Sequence, residues 1–409
     1  MFNVGIYKIF GLGLTLLFTI FMTRYFDSDV SGRYFQFVAF VSLMSTAVGA
    51  TLQNFVLKKV SYLHEEGKSI DSIIWLSVLI MSFSFFLIFI ILCFIYLIND
   101  LFILGDMIIS LASVMFTVVF LTGIGFLRGI GDINSSQVAE NIIKPLLLFL
   151  FALLMFYEII NSYRLIYFAS ITFCTAFVVF MLFDKVSFPK SIEIDSFFLD
   201  AISNVKDIFD MLILSTISAF QKNLDVIIIG FLLSNSDVSY YKLPVVFSTL
   251  ITLGVLISNY YYSRGISIAY HKGTHDELQS LVSKGSRLSF YLGLIIFGVL
   301  IFSSPVVFIY SYSSEWIFAY KLFLVLSLGK LADSYFGSIT TFANMTGNSK
   351  LVSLSMLLSL SMMFVLSLLL YQVCGLLGIA ISVSFSFFLW NLLASCMLKY
   401  KTHIKFGVF

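Results

Sequence analysis

The chain has 409 residues, 60% of them hydrophobic and only 11% charged, with a mean hydropathy of +1.02. A soluble domain carries about 25% charged residues, so this composition excludes a soluble protein and leaves little mass outside a bilayer. The net charge of +2 says nothing of nucleic acid; what counts is the side of the membrane on which each charge falls.

Taken in order, apolar runs occupy residues 4–22, 34–56, 73–98, 107–127, 142–158, 165–183, 211–233, 243–262, 288–310, 316–342, 351–372 and 376–398. Each is long enough, or nearly so, to cross a hydrocarbon layer as a helix. The first run leads directly into this pattern, and no cleavable signal peptide is evident. Twelve spans place both termini on one side. On that side fall 17 basic residues, among them Lys58, Lys59, Arg128, Lys144, Arg264, Arg287 and Lys399; the other side holds Arg24, Arg33, Arg164 and Lys242. A bias of 17 to 4 predicts cytoplasmic termini and supports the even count.

The chain also repeats itself. Ser28-Asp29-Val30-Ser31 follows the first run, and Ser236-Asp237-Val238-Ser239 follows the seventh, 208 residues later. A polar loop then begins with His64 in one half and His271 in the other. Arg128-Gly129-Ile130-Gly131-Asp132 has a counterpart in Asn344-Met345-Thr346-Gly347-Asn348. Six spans per half give the halves the same orientation, as parallel repeats about an axis along the membrane normal. The expected organisation is an N-terminal six-helix lobe over 1–183, a cytoplasmic linker over 184–210 and a C-terminal lobe over 211–409 with a short cytoplasmic tail. Within the linker, Ile194, Phe197, Phe198, Ile202, Val205 and Phe209 have the spacing of an interfacial amphipathic helix.

The charges buried in the runs are the candidate site. Lys222 and Asp225 lie three apart, on one helix face, in the middle of the seventh run. At mid-membrane the pair costs about 5–7 kcal/mol, against about 4–8 kcal/mol returned by the Leu, Ile, Phe and Val residues of the run. Such a span needs polar neighbours, as a watery interior between helices would provide. Lys330 and Asp333 repeat the spacing in the tenth run. The lysines are candidate contacts for an anionic substrate, the aspartates candidate ion-coupling or charge-pair residues. Arg24, at the end of the first run, is a candidate source of positive potential at the cavity mouth. Either pair also has a structural reading, as charges that neutralise each other within the bundle. Glu140, Lys144 and Pro145 read as an ordinary helix start.

Other constellations point to no chemistry. The four cysteines, Cys93, Cys174, Cys374 and Cys396, sit in apolar runs without metal or disulfide spacing. His271 and His275 lack a third ligand. The Gly-x-Gly triplets have no phosphate-loop context, so no ATP hydrolysis within the chain is expected.

With these residues in place, the chain resembles the bacterial O-antigen and polysaccharide flippases (Wzx type) of the multidrug/oligosaccharidyl-lipid/polysaccharide (MOP) exporter superfamily. The resemblance is carried by Ser31-Gly32-Arg33-Tyr34, by Asp225-Val226-Ile227-Ile228-Ile229-Gly230, by the turn at Tyr240-Tyr241 and by the Arg128–Asp132 loop. Ser239 departs from it, standing where the family usually has glycine. The resemblance implies an all-α polytopic fold of twelve transmembrane helices in two parallel six-helix lobes around a central cavity. It implies translocation of an undecaprenyl-diphosphate-linked oligosaccharide from the cytoplasmic to the periplasmic leaflet of the bacterial inner membrane by alternating access. No cofactor is implied; a proton or sodium gradient, or the membrane potential, is the expected energy source. Expected partners are the lipid-linked substrate, membrane lipids, a glycan polymerase and a chain-length regulator. Two alternatives remain: a cation-coupled drug or metabolite exporter of the same superfamily, and a membrane glycan polymerase or acyltransferase, which the lack of a large outer loop disfavours.

Overall fold

The computed structural model describes residues 2–65, 70–98, 104–160, 162–183, 194–272 and 274–408, and every regular element among them is helical. The helices are α1 Phe2–Tyr25, α2 Ser28–Glu65, α3 Asp71–Ile98, α4 Leu104–Gly129, α5 Ile133–Val138, α6 Lys144–Phe156, α7 Tyr163–Phe183 and α8 Ile194–Leu232. They continue as α9 Asn235–Leu250, α10 Leu253–Lys272, α11 His275–Tyr312, α12 Trp316–Phe336, α13 Ile339–Met345, α14 Ser349–Cys374 and α15 Leu376–Thr402. A π-helical turn, Ala139–Ile143, links α5 to α6.

Among the described residues, twelve helical stretches are long and apolar enough to cross a membrane, and they match the twelve runs one for one. The protein is a multi-pass membrane protein. The fifth span is the instructive difference. It runs Ile133–Phe156, because α5, the π turn and α6 join end to end, whereas the hydropathy run starts only at residue 142. Lys144 therefore lies near mid-span and not in a connection. Lys242, counted with the outer loops, lies two turns into the span Asn235–Ser263. The basic bias survives both moves.

Cα packing divides the chain into two compact units. Unit 1 is Met1–Phe18 with Arg33–Leu224, and unit 2 is Thr19–Gly32 with Asp225–Phe409. The expected limits 1–183, 184–210 and 211–409 count spans, whereas packing draws its lines inside α1, α2 and α8. Of the expected linker, residues 184–193 lie outside the described residues. From Ile194 the backbone is helical and runs into the seventh span without a break.

In unit 1, Phe55, Val56 and Val60 of α2 pack with Ile73 and Leu76 of α3 and Phe126 of α4, and Ile208 and Met211 of α8 close over them. The approach of α4 to α2 depends on Gly125, where a Cβ would lie 2.7 Å from the Gln53 carbonyl oxygen; small residues allow such backbone contact between membrane helices. Unit 2 is joined by serine hydroxyls that reach carbonyls of neighbouring helices. Ser258 donates to Gly285 O at 2.8 Å, Ser286 to Phe336 O at 3.1 Å and Ser384 to Val325 O at 2.7 Å. Large apolar side chains such as Phe231, Phe302 and Val373 stay four-fifths exposed, as a lipid-facing surface requires.

The Gly131 and Gly347 turns, paired in the sequence repeat, both have positive φ, +90° and +70°, with open space where a Cβ would stand. The two Ser-Asp-Val-Ser motifs meet within unit 2. Ser31 Oγ and Ser239 Oγ are 2.7 Å apart and buried, and Asn235 Nδ2 donates to Asp29 Oδ1 at 3.1 Å.

Candidate functional site

The site begins with Asp225 on α8. Its carboxylate is buried yet well supplied with donors. The Tyr241 hydroxyl donates to Oδ2 at 2.9 Å, and the Val226 backbone N–H donates to Oδ1 at 2.8 Å. Tyr241 is itself fully buried on α9. A buried phenol needs a partner for its hydroxyl, and the carboxylate is that partner. The next residue, Lys242, and Lys330 on α12 both act electrostatically on Asp225.

Lys330 lies over the Phe387 ring of α15, 3.5 Å from its centroid. A contact of this kind on a half-buried lysine contributes about 0.5–2 kcal/mol. One turn along α12, Asp333 accepts from Asn391 Nδ2 at 2.9 Å and also feels the charge of Lys330. Asn391 is fully buried and is held by a second bond to Phe387 O at 2.9 Å. Four helices of unit 2 thus bring two aspartates, two lysines, a phenol and an amide into one network. Its formal charges cancel, which is the condition for holding ions inside a bilayer without a large penalty.

The sequence-predicted residues divide as follows. Asp225, Asp333 and Lys330 come together in this network. Lys222 does not join it: its side chain is exposed, it belongs to unit 1, and among the described residues it forms no ion pair with Asp225. Arg24 is exposed at the end of α1 and donates to Ser313 Oγ at 3.3 Å, with its guanidinium 5.1 Å from the Tyr310 ring centroid. Tyr25 reinforces that contact through a 2.9 Å bond between its hydroxyl and that of Tyr310. Among the described residues no group of His, Cys, Asp or Glu side chains is placed to hold a metal ion.

Sequence reasoning missed Tyr241, Lys242, Phe387 and Asn391. Asn391 had a visible signal, as the one amide in an otherwise apolar or hydroxylic run from residue 376 to 398. Phe387 had none, because an aromatic residue in such a run looks like core, and Tyr241 stood out only as part of the turn that carries the resemblance.

Against solved structures, the chain is similar to an inward-facing multidrug resistance MATE family transporter of the MOP superfamily. The TM-score is 0.75 at 15% identity, covering 96% of this chain and 94% of that one. It is similar to the lipid II flippase MurJ in an inward closed conformation, with TM-score 0.74 at 16% identity, covering 98% and 88%. A MOP superfamily transporter from Pyrococcus furiosus, described as having a binding pocket of reversed polarity, gives TM-score 0.70 at 14% identity, covering 98% and 94%. No family model and no curated protein matches the chain. The fold is therefore the twelve-helix type shared by these MOP transporters. The particular activity is a matter of the site's chemistry.

Proposed function

We propose that this protein is a flippase that moves an undecaprenyl-diphosphate-linked oligosaccharide, the repeat unit of a surface polysaccharide such as O-antigen, by alternating access. The bodies that exchange access are the six-span halves 1–183 and 211–409, in a bacterial inner membrane with both termini cytoplasmic. The observation that carries this reading is the sign of the charge left over inside the spans. Asp225 and Asp333 are engaged by Tyr241 and Asn391 and balanced by Lys242 and Lys330. Lys222 and Lys144 remain without a carboxylate partner among the described residues. A surplus of ammonium groups suits a diphosphate headgroup.

The energetics agree. Outward movement of two negative charges through an inside-negative potential is favoured by about 4.6 kcal/mol per 100 mV if the whole field is crossed. The likeness to a lipid II flippase supports this reading; the likeness to multidrug transporters keeps cation-coupled drug export as the second reading.

Deletion of the gene should abolish surface glycan and accumulate the lipid-linked intermediate. Lys222→Ala and Lys330→Ala should each reduce glycan display with membrane insertion intact. Wild-type glycan in the deletion strain, together with a change in drug resistance on overexpression, would replace flipping by drug export.

A further inference from the structure

Lys144 is a further intramembrane cation and belongs to unit 1. It follows the π-helical turn Ala139–Ile143 and precedes Pro145. Such turns recur at functional sites. The extra residue of a π turn shifts the following side chains around the helix by about 100° relative to an unbroken α-helix. Here the shift brings Lys144 between two neighbouring helices. Its Nζ lies 5.7 Å from the ring centroid of Phe120 on α4 and 5.7 Å from that of Tyr167 on α7.

Tyr167 is held firmly. It is 3% exposed, its hydroxyl lies 3.2 Å from Thr117 Oγ1, and its ring meets Phe37 edge-on at 6.3 Å. Cys174 on α7 lies within electrostatic reach of Lys144 and is a buried thiol. On the lysine's own helix, Glu140 is taken by Arg128 in an ion pair, and Arg128 also donates to Ser136 Oγ at 3.3 Å. Among the described residues no carboxylate bonds to Lys144.

Aromatic faces attract an ammonium group but accept no strong hydrogen bond and bring no counter-charge. Lys144 has three N–H donors and remains partly accessible. Lys330 also lies on a ring but has Asp225 and Asp333 within reach. An intramembrane lysine with rings around it and no acid is half of a site, and the missing half is an anion.

We propose that Lys144, backed by Phe120 and Tyr167, is an anion-binding point within unit 1 and that its ligand class is a phosphate or diphosphate. The inference deepens the flippase reading by naming the residue of the N-terminal half that meets the headgroup, and it rests on that reading only for the lipid. The ligand's shared chemistry is the diphosphate, whether lipid-borne or free.

The test uses full-length protein in nanodiscs, titrated calorimetrically with farnesyl diphosphate, inorganic pyrophosphate and farnesol. Wild type should bind farnesyl diphosphate. Lys144→Met should weaken that binding about tenfold, equivalent to about 1.4 kcal/mol. Lys144→Arg should stay near wild type, and farnesol should not distinguish the three proteins. An unchanged melting midpoint for Lys144→Met establishes its fold; if that variant does not fold, Lys144→Gln takes its place. Lys144-dependent binding of pyrophosphate but not of farnesyl diphosphate would keep the anion site and remove the lipid-linked substrate. Equal diphosphate binding by wild type and the neutral variants would overturn the inference while leaving flipping to the glycan assay. Binding of neither diphosphate by wild type would overturn it as well.

Discussion

The bond between Tyr241 and Asp225 can be tested as a thermodynamic quantity. Tyr241→Phe removes one oxygen from a fully buried side chain and leaves the ring in place, so the perturbation is the loss of a 2.9 Å donor to Asp225 Oδ2. A hydrogen bond to a charged group contributes about 1.5–3 kcal/mol. The Val226 N–H remains at 2.8 Å, and Lys242 and Lys330 remain in reach, so the loss should fall toward the lower end, about 1.5–2 kcal/mol. Asp225→Asn is the second arm. It removes the charge, strands Lys242 and Lys330 without that counter-ion and should cost more, about 3 kcal/mol. The double variant completes a cycle whose coupling energy should be at least about 1 kcal/mol for a bonded pair. The assay is reversible denaturant unfolding in mixed micelles, followed by intrinsic tryptophan fluorescence; Trp390, buried beside Asn391, reports on the same region. Additive effects, with coupling below about 0.5 kcal/mol, would refute the pairing and with it the argument that the carboxylate is already satisfied.

Two further outcomes follow from the repeated motifs. Gly32→Ala should abolish folded, monodisperse protein, because its Cβ would lie 1.7 Å from the Asn235 carbonyl oxygen and only separation of α2 from α9 could relieve it; size-exclusion profiles that match wild type would refute that contact. Gly131→Ala and Gly347→Ala should each cost only about 1–2 kcal/mol, the conformational penalty of a left-handed residue, since nothing occupies the added space; thermal midpoints should show similar, modest losses for the two.

Much of the architecture is legible in the sequence because a bilayer imposes simple rules. A helix must be apolar for about 20 residues to cross, so the twelve runs stand out, and the basic bias fixes their parity. Hydropathy misplaces the start of the fifth span for a physical reason. Gln137, Glu140, Asn141 and Lys144 lower its score, but inside the protein they have partners: Asn141 Nδ2 donates to Gln137 Oε1 at 2.9 Å, Glu140 pairs with Arg128, and Lys144 has its two rings. Hydropathy scores a residue against lipid, whereas these residues are solvated by protein. The same limit hides the partners of the aspartates. The spacing of Lys222 and Asp225 puts both on one helix face, but Asp225 turns to Tyr241 on another helix, 16 residues on, and no periodicity within one helix reports on its neighbour.

The charge balance then gives the proposed role of the remaining lysines a test. A buried cation persists where another group meets its cost, and within unit 2 the meeting groups are aspartates of the same unit. Within that network the formal charges already cancel, so a further cation would compete with Tyr241 or Asn391 for a carboxylate, and a further anion would compete with Asp225 and Asp333 for Lys330. Lys144 and Lys222 face no such restriction. If the transported molecule were cationic, these two positions would repel it, and replacing them with neutral residues would speed transport. If it is a diphosphate, the same replacements slow it. The sign of the change in Lys144→Met and Lys222→Ala therefore separates the two substrate classes, whichever sugar the headgroup bears.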